Sequence, residues 1–339
     1  MLCYCFIIGE TPIIWDMMPE SKNALVIVGP TAVGKTALGA RIASLLDGEV
    51  LSADSRQVYR GLDIGSGKDL EEYVVDGKSV PYHLIDIADL RQEFSVFHYQ
   101  QAFYAAFESV IQRKRLPVVV GGTGLYLDAV LCGYRMVPTP ENPELRAMLA
   151  ALDAEQLRAR LASIRPRLHN ITDTEDRERL IRAIEIAEYA RNHPAPPCPE
   201  VRALILGIKC PPEVLRERIA RRLRARFDAG LIEEVERLHA AGHSWERFER
   251  LGLEYRFIAE YLQGKIKNKN DLFQKLNSAI AQFAKRQRTW FRGMERKGFD
   301  IRWLPDNDPR HALKAIRHSD LAHNGETSNA APPDNSDAD

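Results

Sequence analysis

An apolar run, Ala24-Leu25-Val26-Ile27-Val28, feeds into Gly29-Pro30-Thr31-Ala32-Val33-Gly34-Lys35-Thr36 and leaves through the helical pattern Ala37-Leu38-Gly39-Ala40-Arg41-Ile42. Strand, glycine-rich loop and helix in that order constrain the fold most, because they seat a phosphate on the amino end of a helix at the edge of a sheet. The glycines let successive backbone N–H groups turn onto phosphate oxygens, Lys35 adds a point charge, and the Thr36 hydroxyl is placed to hold Mg²⁺. Gly29, Thr31, Ala32, Val33, Gly34, Lys35 and Thr36 are therefore expected to line a polyphosphate or pyrophosphate ester.

Alternating short strands and helical stretches continue through the first third. Val50-Leu51-Ser52, His83–Ile87 and Pro117–Val120 read as further buried strands of a parallel sheet. The expected fold class is α/β, a P-loop NTPase-like parallel sheet flanked by helices. After Gly133 the breaker-rich Pro138-Thr139-Pro140-Glu141-Asn142-Pro143 leads into charged helical sequence, Glu144–Leu161 and Glu175–Arg191, that closes at Pro194-Ala195-Pro196-Pro197. Residues 134–197 are thus expected to form a small all-helical insertion in a core made of 22–133 and 198–305. A strand at Ala203–Ile208 and mostly helix follow. Residues 1–21 read as a leader and 306–339 as a polar, partly disordered tail.

Lys+Arg and Asp+Glu are equal at 47 each, so any nucleic-acid signal must be local. Two basic clusters exist, Arg216 to Arg226 and Lys285 to Lys297. Five scattered cysteines without a C-x-x-C pair argue against a disulfide frame or zinc site. With no apolar run of membrane-spanning length and no basic secretory leader, the expectation is a cytoplasmic protein that engages no membrane.

Asp54 follows the second strand and should stand near the phosphate loop, as a Mg²⁺ or water anchor, a general base, or a helix cap. Arg60 and Lys68 read as phosphate contacts or as solvated surface charges. The strand Pro117–Val120 ends in Gly121-Gly122-Thr123-Gly124, where a γ-phosphate enzyme would usually carry a carboxylate; His83-Leu84-Ile85-Asp86 is a poor substitute. The loop thus suits a leaving pyrophosphate. The glycines at 121, 122 and 124 either make room for a flat ligand or form a tight turn. Arg218, Arg222 and Arg226 share a helical face, from which one arginine could reach a phosphate. In Ala284-Lys285-Arg286-Gln287-Arg288-Thr289-Trp290-Phe291-Arg292, bases interleave with aromatics that belong either to an RNA interface or to the core.

Taken together, Gly29–Thr36, Asp54–Gly65, Gly121–Tyr126, Arg218–Val235 and Ala284–Arg292 resemble the tRNA dimethylallyltransferases, the bacterial branch of the tRNA isopentenyltransferase family, over roughly residues 22–305. The resemblance implies transfer of a dimethylallyl group from dimethylallyl diphosphate to the exocyclic amine of the adenosine 3′ to the anticodon of tRNA, with Mg²⁺ and release of diphosphate. It also implies Asp54 as general base and Arg222 as the arginine facing the departing diphosphate. Asp54, Ser55, Arg56, Gln57, Thr123, Arg146, Glu178, Arg179, Leu180, Ile181 and Arg182 fall on its tRNA-contacting positions, joined by the basic Lys285, Arg286 and Arg288. The insertion matches the family's domain that clasps the anticodon stem-loop; a monomer is expected. Three departures stand out: Glu178 for glutamine, Leu253-Glu254-Tyr255 for Ile-Gly-Tyr, and Ile280-Ala281-Gln282 for Thr-Arg-Gln. A small-molecule kinase, a prenyltransferase acting on a free adenine nucleotide and a non-catalytic RNA-binding module are the rival readings.

Overall fold

The computed structural model describes residues 21–164 and 176–321. Six strands form one parallel sheet in the order β5-β2-β6-β1-β7-β8: β1 is Ala24–Val28, β2 Gly48–Ala53, β5 Tyr82–His83, β6 Leu116–Gly121, β7 Ala203–Ile208 and β8 Ile301–Leu304. A small antiparallel hairpin, β3 (Val74–Val75) and β4 (Lys78–Ser79), stands apart. β1 is buried along its whole length between β6 and β7. A strand covered on both faces cannot alternate polar and apolar residues, which is why its sequence is continuously aliphatic. Register places Val28, Ala53 and Gly121 level with one another, so the loops that follow β1, β2 and β6 emerge side by side.

The helices of the main core are α1 (Lys35–Leu45), α2 (Val96–Gln112), α3 (Gly124–Leu131), α7 (Pro212–Asp228), α8 (Leu231–Ala240), α9 (Trp245–Leu251), α10 (Leu253–Leu262), the long α11 (Lys269–Arg296) and α12 (Pro309–Arg317). Between α3 and β7 lie α4 (Pro143–Ala150), α5 (Ala154–Ile164) and α6 (Arg177–Asn192). These three share an apolar cluster of their own, Leu145, Leu149, Leu157, Leu161, Leu180 and Ile184, separate from the main core. Asp153 splits the helical sequence around it into α4 and α5 by accepting from Glu155 N and Gln156 N, each at 2.9 Å. The start of the stretch Glu175–Arg191 lies outside the described residues.

Two sequence expectations change. The stretch His83–Ile87 is strand only at Tyr82–His83; Leu84 and Asp86 turn with positive φ, and the chain joins the preceding loop through Asp86 N to Gln57 O (3.0 Å) and Ala88 N to Val58 O (2.8 Å). The tail does not begin at 306. Asp308 caps Arg310 N, Pro309 sits at the first helical position, and α12 buries Ala312 and Ile316 four residues apart. Lys22 pairs with Leu321 as a parallel bridge and with Asp320 as an ion pair at 3.2 Å. Residues 1–20 and 322–339 lie outside the described residues. No helix among the described residues is long and apolar enough to cross a membrane.

Candidate active site

The phosphate loop turns into α1 at Gly34, whose φ of +85° is favourable only for glycine and whose Cβ would lie 2.6 Å from Asn307 Nδ2. Lys35 Nζ donates to Pro30 O at 2.8 Å. Desolvation and the neighbouring Arg222 push its ammonium down to about 8, against the opposing pull of Asp54 and Glu72. After β2, Asp54 Oδ1 accepts from Arg56 N (2.9 Å) and Gln57 N (3.4 Å), so one oxygen fixes the turn. Thr123 Oγ1, after β6, accepts from Ser55 N at 3.1 Å and holds that turn from the other side.

These loops close around a narrow cavity of about 60 Å³ lined by Thr31, Lys35, Thr36, Asp54, Arg222 and Arg226. A wider groove of about 810 Å³ adjoins it, bordered by Ser55, Arg256, Lys275 and Arg286, and the two meet at Arg56 and Phe283. Arg56 lies over the Phe283 ring, 6.0 Å from its centroid. The narrow cavity suits a small anion and the groove a larger polyanion or flat base.

Sequence reasoning missed Gln287 as a site residue. From the middle of α11 it accepts from Thr31 N (2.8 Å) and donates to Gly122 O (2.9 Å), fixing the phosphate loop to the loop after β6. Its place inside the basic stretch hid it, although a lone glutamine among basic residues was the available signal. The room at Gly121, Gly122 and Gly124 is taken by the protein itself: an added Cβ would meet Ala53, Gln287 and Trp290, each within 2.4 Å. Phe291 is buried and Trp290 packs against the core, so these aromatics support the site from behind.

The departure at Glu254 has a physical account. Its carboxylate is buried and pairs with Arg56 and, at 3.3 Å, with Arg226. Burial alone would raise its pKa; the two guanidinium groups outweigh that and hold it below the usual carboxylate range. Arg218, Arg222 and Arg226 all turn inward, to Val33 O (3.4 Å), Asp69 (3.3 Å) and Glu254 respectively, where a single arginine was expected.

Other expectations fall away from the cavity. Lys68 is buried between Asp63 (2.6 Å) and Asp86, and Arg60 donates to Asp86 O, so neither contacts phosphate and Asp86 is no metal anchor. Leu180 is buried in the insertion core, which excludes its side chain from an RNA surface. Arg146 and Arg182 bind Glu185, while Glu178 and Arg179 are exposed and Ile181 packs against the insertion core. None of these residues lines the cavity or the groove. Lys285 and Arg288 line a different, smaller cleft with Arg216, Arg292 and Ala281, whereas Arg286 faces the groove.

No group of three or more His, Cys, Asp or Glu among the described residues could hold a metal unaided. Thr36 and Asp54 do line the same cavity, and Mg²⁺ commonly takes one or two protein ligands and completes its shell with phosphate and water. The donor set therefore fits Mg²⁺ bound jointly with a diphosphate.

Comparison with known proteins gives the family. The family model described as IPP transferase matches residues 57–294. tRNA dimethylallyltransferase 1 of Geotalea uraniireducens is 56% identical over 297 residues, 87% of this chain and 97% of that protein. tRNA dimethylallyltransferase 2 of Syntrophotalea carbinolica is 55% identical, again over 87% of this chain and 98% of its own. Among solved structures, the tRNA isopentenylpyrophosphate transferase of Bacillus halodurans is 32% identical and superposes with a TM-score of 0.63, covering 87% of this chain and 95% of that one.

Proposed function

The chain belongs to the IPP transferase family, and from that premise we propose how its residues divide the transfer of a dimethylallyl group to an adenosine of tRNA. The protein is a transferase of tRNA modification. Its donor is dimethylallyl diphosphate, bound with the diphosphate in the phosphate loop, and its acceptor is the exocyclic amine of the adenosine 3′ to the anticodon. The observation that carries the reading is the convergence of Lys35, Thr36, Asp54 and Arg222 on one narrow cavity that opens onto a basic groove.

An adenine amine is a weak nucleophile, because its lone pair is delocalised into the ring. The site must aim a base at its proton and stabilise the leaving group. In the transfer, the amine nitrogen forms a bond to C1 of the dimethylallyl group as the C1–O bond breaks. The bonding pair leaves with the diphosphate and the proton passes to Asp54. Lys35, the N–H groups of the phosphate loop and Arg222 oppose the charge on the departing oxygen. Mg²⁺, held by Thr36 together with the diphosphate, would add positive charge at the same place. Arg56, Ser55, Gln57 and Thr123 border the path along which an unstacked base enters, and single-stranded anticodon loops release a base more readily than a duplex does. The helices α4–α6, with Arg146 and the exposed start of α6, clasp the anticodon arm, and Lys285, Arg286 and Arg288 contact its backbone. The protein acts as a cytoplasmic monomer.

Single-turnover transfer with saturating tRNA tests the assignment. Asp54→Ala should lower the rate by about 10² to 10⁴ with donor and tRNA affinity nearly unchanged. A near-wild-type rate would give the base to another residue. Radiolabelled donor offered with unmodified tRNA or with AMP separates this reading from a free-nucleotide prenyltransferase, and robust ATP turnover would favour a kinase.

A further inference from the structure

Arg226 and Arg222 converge beneath the phosphate cavity. A Cβ at Gly67 would lie 1.8 Å from Arg226 Nη2 and 2.1 Å from Arg222 Nη2, so both guanidinium groups crowd the same backbone position, tolerated because Gly67 has no side chain. Arg226 is 11% exposed. Its Nη1 is engaged, at 3.3 Å from both Gly65 O and Glu254 Oε1. Its Nε and Nη2, and Arg222 Nε, are buried with no hydrogen-bond partner among the described residues. Burial and the adjacent Arg222 lower Arg226 to about 10.

Two like charges packed together, each with buried donors unmet, are unfavourable unless an anion lies between them. Glu254 does not serve, because its oxygens are spent on Nη1 of Arg226 and on Arg56, and Asp69 engages Nη2 of Arg222 and leaves the unmet donors as they are. Both arginines line the cavity that also holds Lys35, Thr31 and Thr36. We propose that Arg226 is a second arginine of the diphosphate site, presenting Nε and Nη2 to the phosphate oxygens while Glu254 holds its Nη1. The inference rests on the diphosphate reading of the phosphate loop and adds to it a ligand that loop does not contain. It gives Glu254, the residue out of family pattern, a place in donor binding as the anchor of that arginine.

The test is binding of inorganic diphosphate with Mg²⁺ to the full chain, measured by calorimetry for wild type, Lys35→Ala, Arg226→Leu and Arg226→Lys, with thermal melts to establish folding. Arg226→Leu should weaken diphosphate about tenfold or more, the scale of one lost charge-assisted contact. Arg226→Lys keeps the charge but not the fork and should weaken it by roughly threefold. If the leucine variant does not fold, the lysine variant decides. Affinity within twofold of wild type in the folded Arg226 variants, with loss in Lys35→Ala, would overturn the role of Arg226 and leave the phosphate loop intact. A wild type that binds no diphosphate would overturn both.

Discussion

Glu185 and Glu254 are buried carboxylates each gripped by a pair of arginines, and they differ in what the arginines have left over. In the insertion, Glu185 is 1% exposed and takes Arg146 at 3.0 Å, Arg182 at 2.5 Å and the backbone N–H of Asn142 at 2.6 Å. Arg146 goes on to Glu141 and Arg182 to Thr139 O, and neither is left with a buried unmet donor. At the cavity, Glu254 grips Arg56 and Arg226, yet Arg226 keeps two buried N–H groups unmet. Saturated, such a triad is a staple joining α6 to the turn before α4; unsaturated, it is a half-built binding site. The same residue types therefore serve stability in one place and ligand capture in the other, and only the account of hydrogen bonds separates them.

Removing each carboxylate should break the symmetry in proportion to how far its arginines can return to water. Arg56 and Arg226 are 14% and 11% exposed, so Glu254→Ala strands two buried charges and should destabilise the fold by about 3–5 kcal/mol in denaturant melts. Arg146 and Arg182 are 36% and 38% exposed and can rehydrate, so Glu185→Ala should cost only about 1–2 kcal/mol and leave diphosphate affinity unchanged. Equal losses in the two variants would erase the distinction. Acid sharpens it. Both carboxylates are held below the ordinary value of 4.5, so their contribution is present above that value and is lost as pH falls through the lowered, folded one.

A smaller effect belongs to the cavity alone. Lys35 is charged below about pH 8 and neutral above it in the free protein, so diphosphate affinity should fall as pH rises through that point. The slope should not exceed about tenfold per pH unit, and binding just above pH 8 should take up a proton, visible as a buffer-dependent calorimetric enthalpy. A flat profile to pH 9.5 would mean that the ammonium is not needed for the anion. Smallest of all should be the loss of the Arg160–Glu188 pair, with side chains 36% and 30% exposed: Arg160→Ala should change stability by less than about 1 kcal/mol.

Legibility followed locality. The phosphate loop, the strands β1, β2, β6 and β7 and the helical texture of the insertion are written in adjacent residues and could be read directly. The grip of Glu254 on Arg56 spans 198 positions, and that of Gln287 on Thr31 spans 256, distances over which periodicity reports a helical face but not what the face meets. A resemblance marked Glu254 as out of pattern, and only the fold supplied the arginines that explain it. The helix α12 is a different failure, for its Asp-Pro start and the spacing of Ala312 and Ile316 were readable but sat in a polar stretch. For Leu180, one position on an exposed-looking helix carried both a family role and a core contact, and burial decided it.

The bridge from Lys22 to Leu321 brings the two described ends of the chain together at the amino end of the sheet, opposite the edge where the loops gather. Topologically the fold is a nearly closed ring with its seam on the side away from the chemistry. A chain re-cut by joining residues 22 and 321 through a short linker, and opened at the exposed turn of Gly242, would keep every strand pairing and every contact of the cavity.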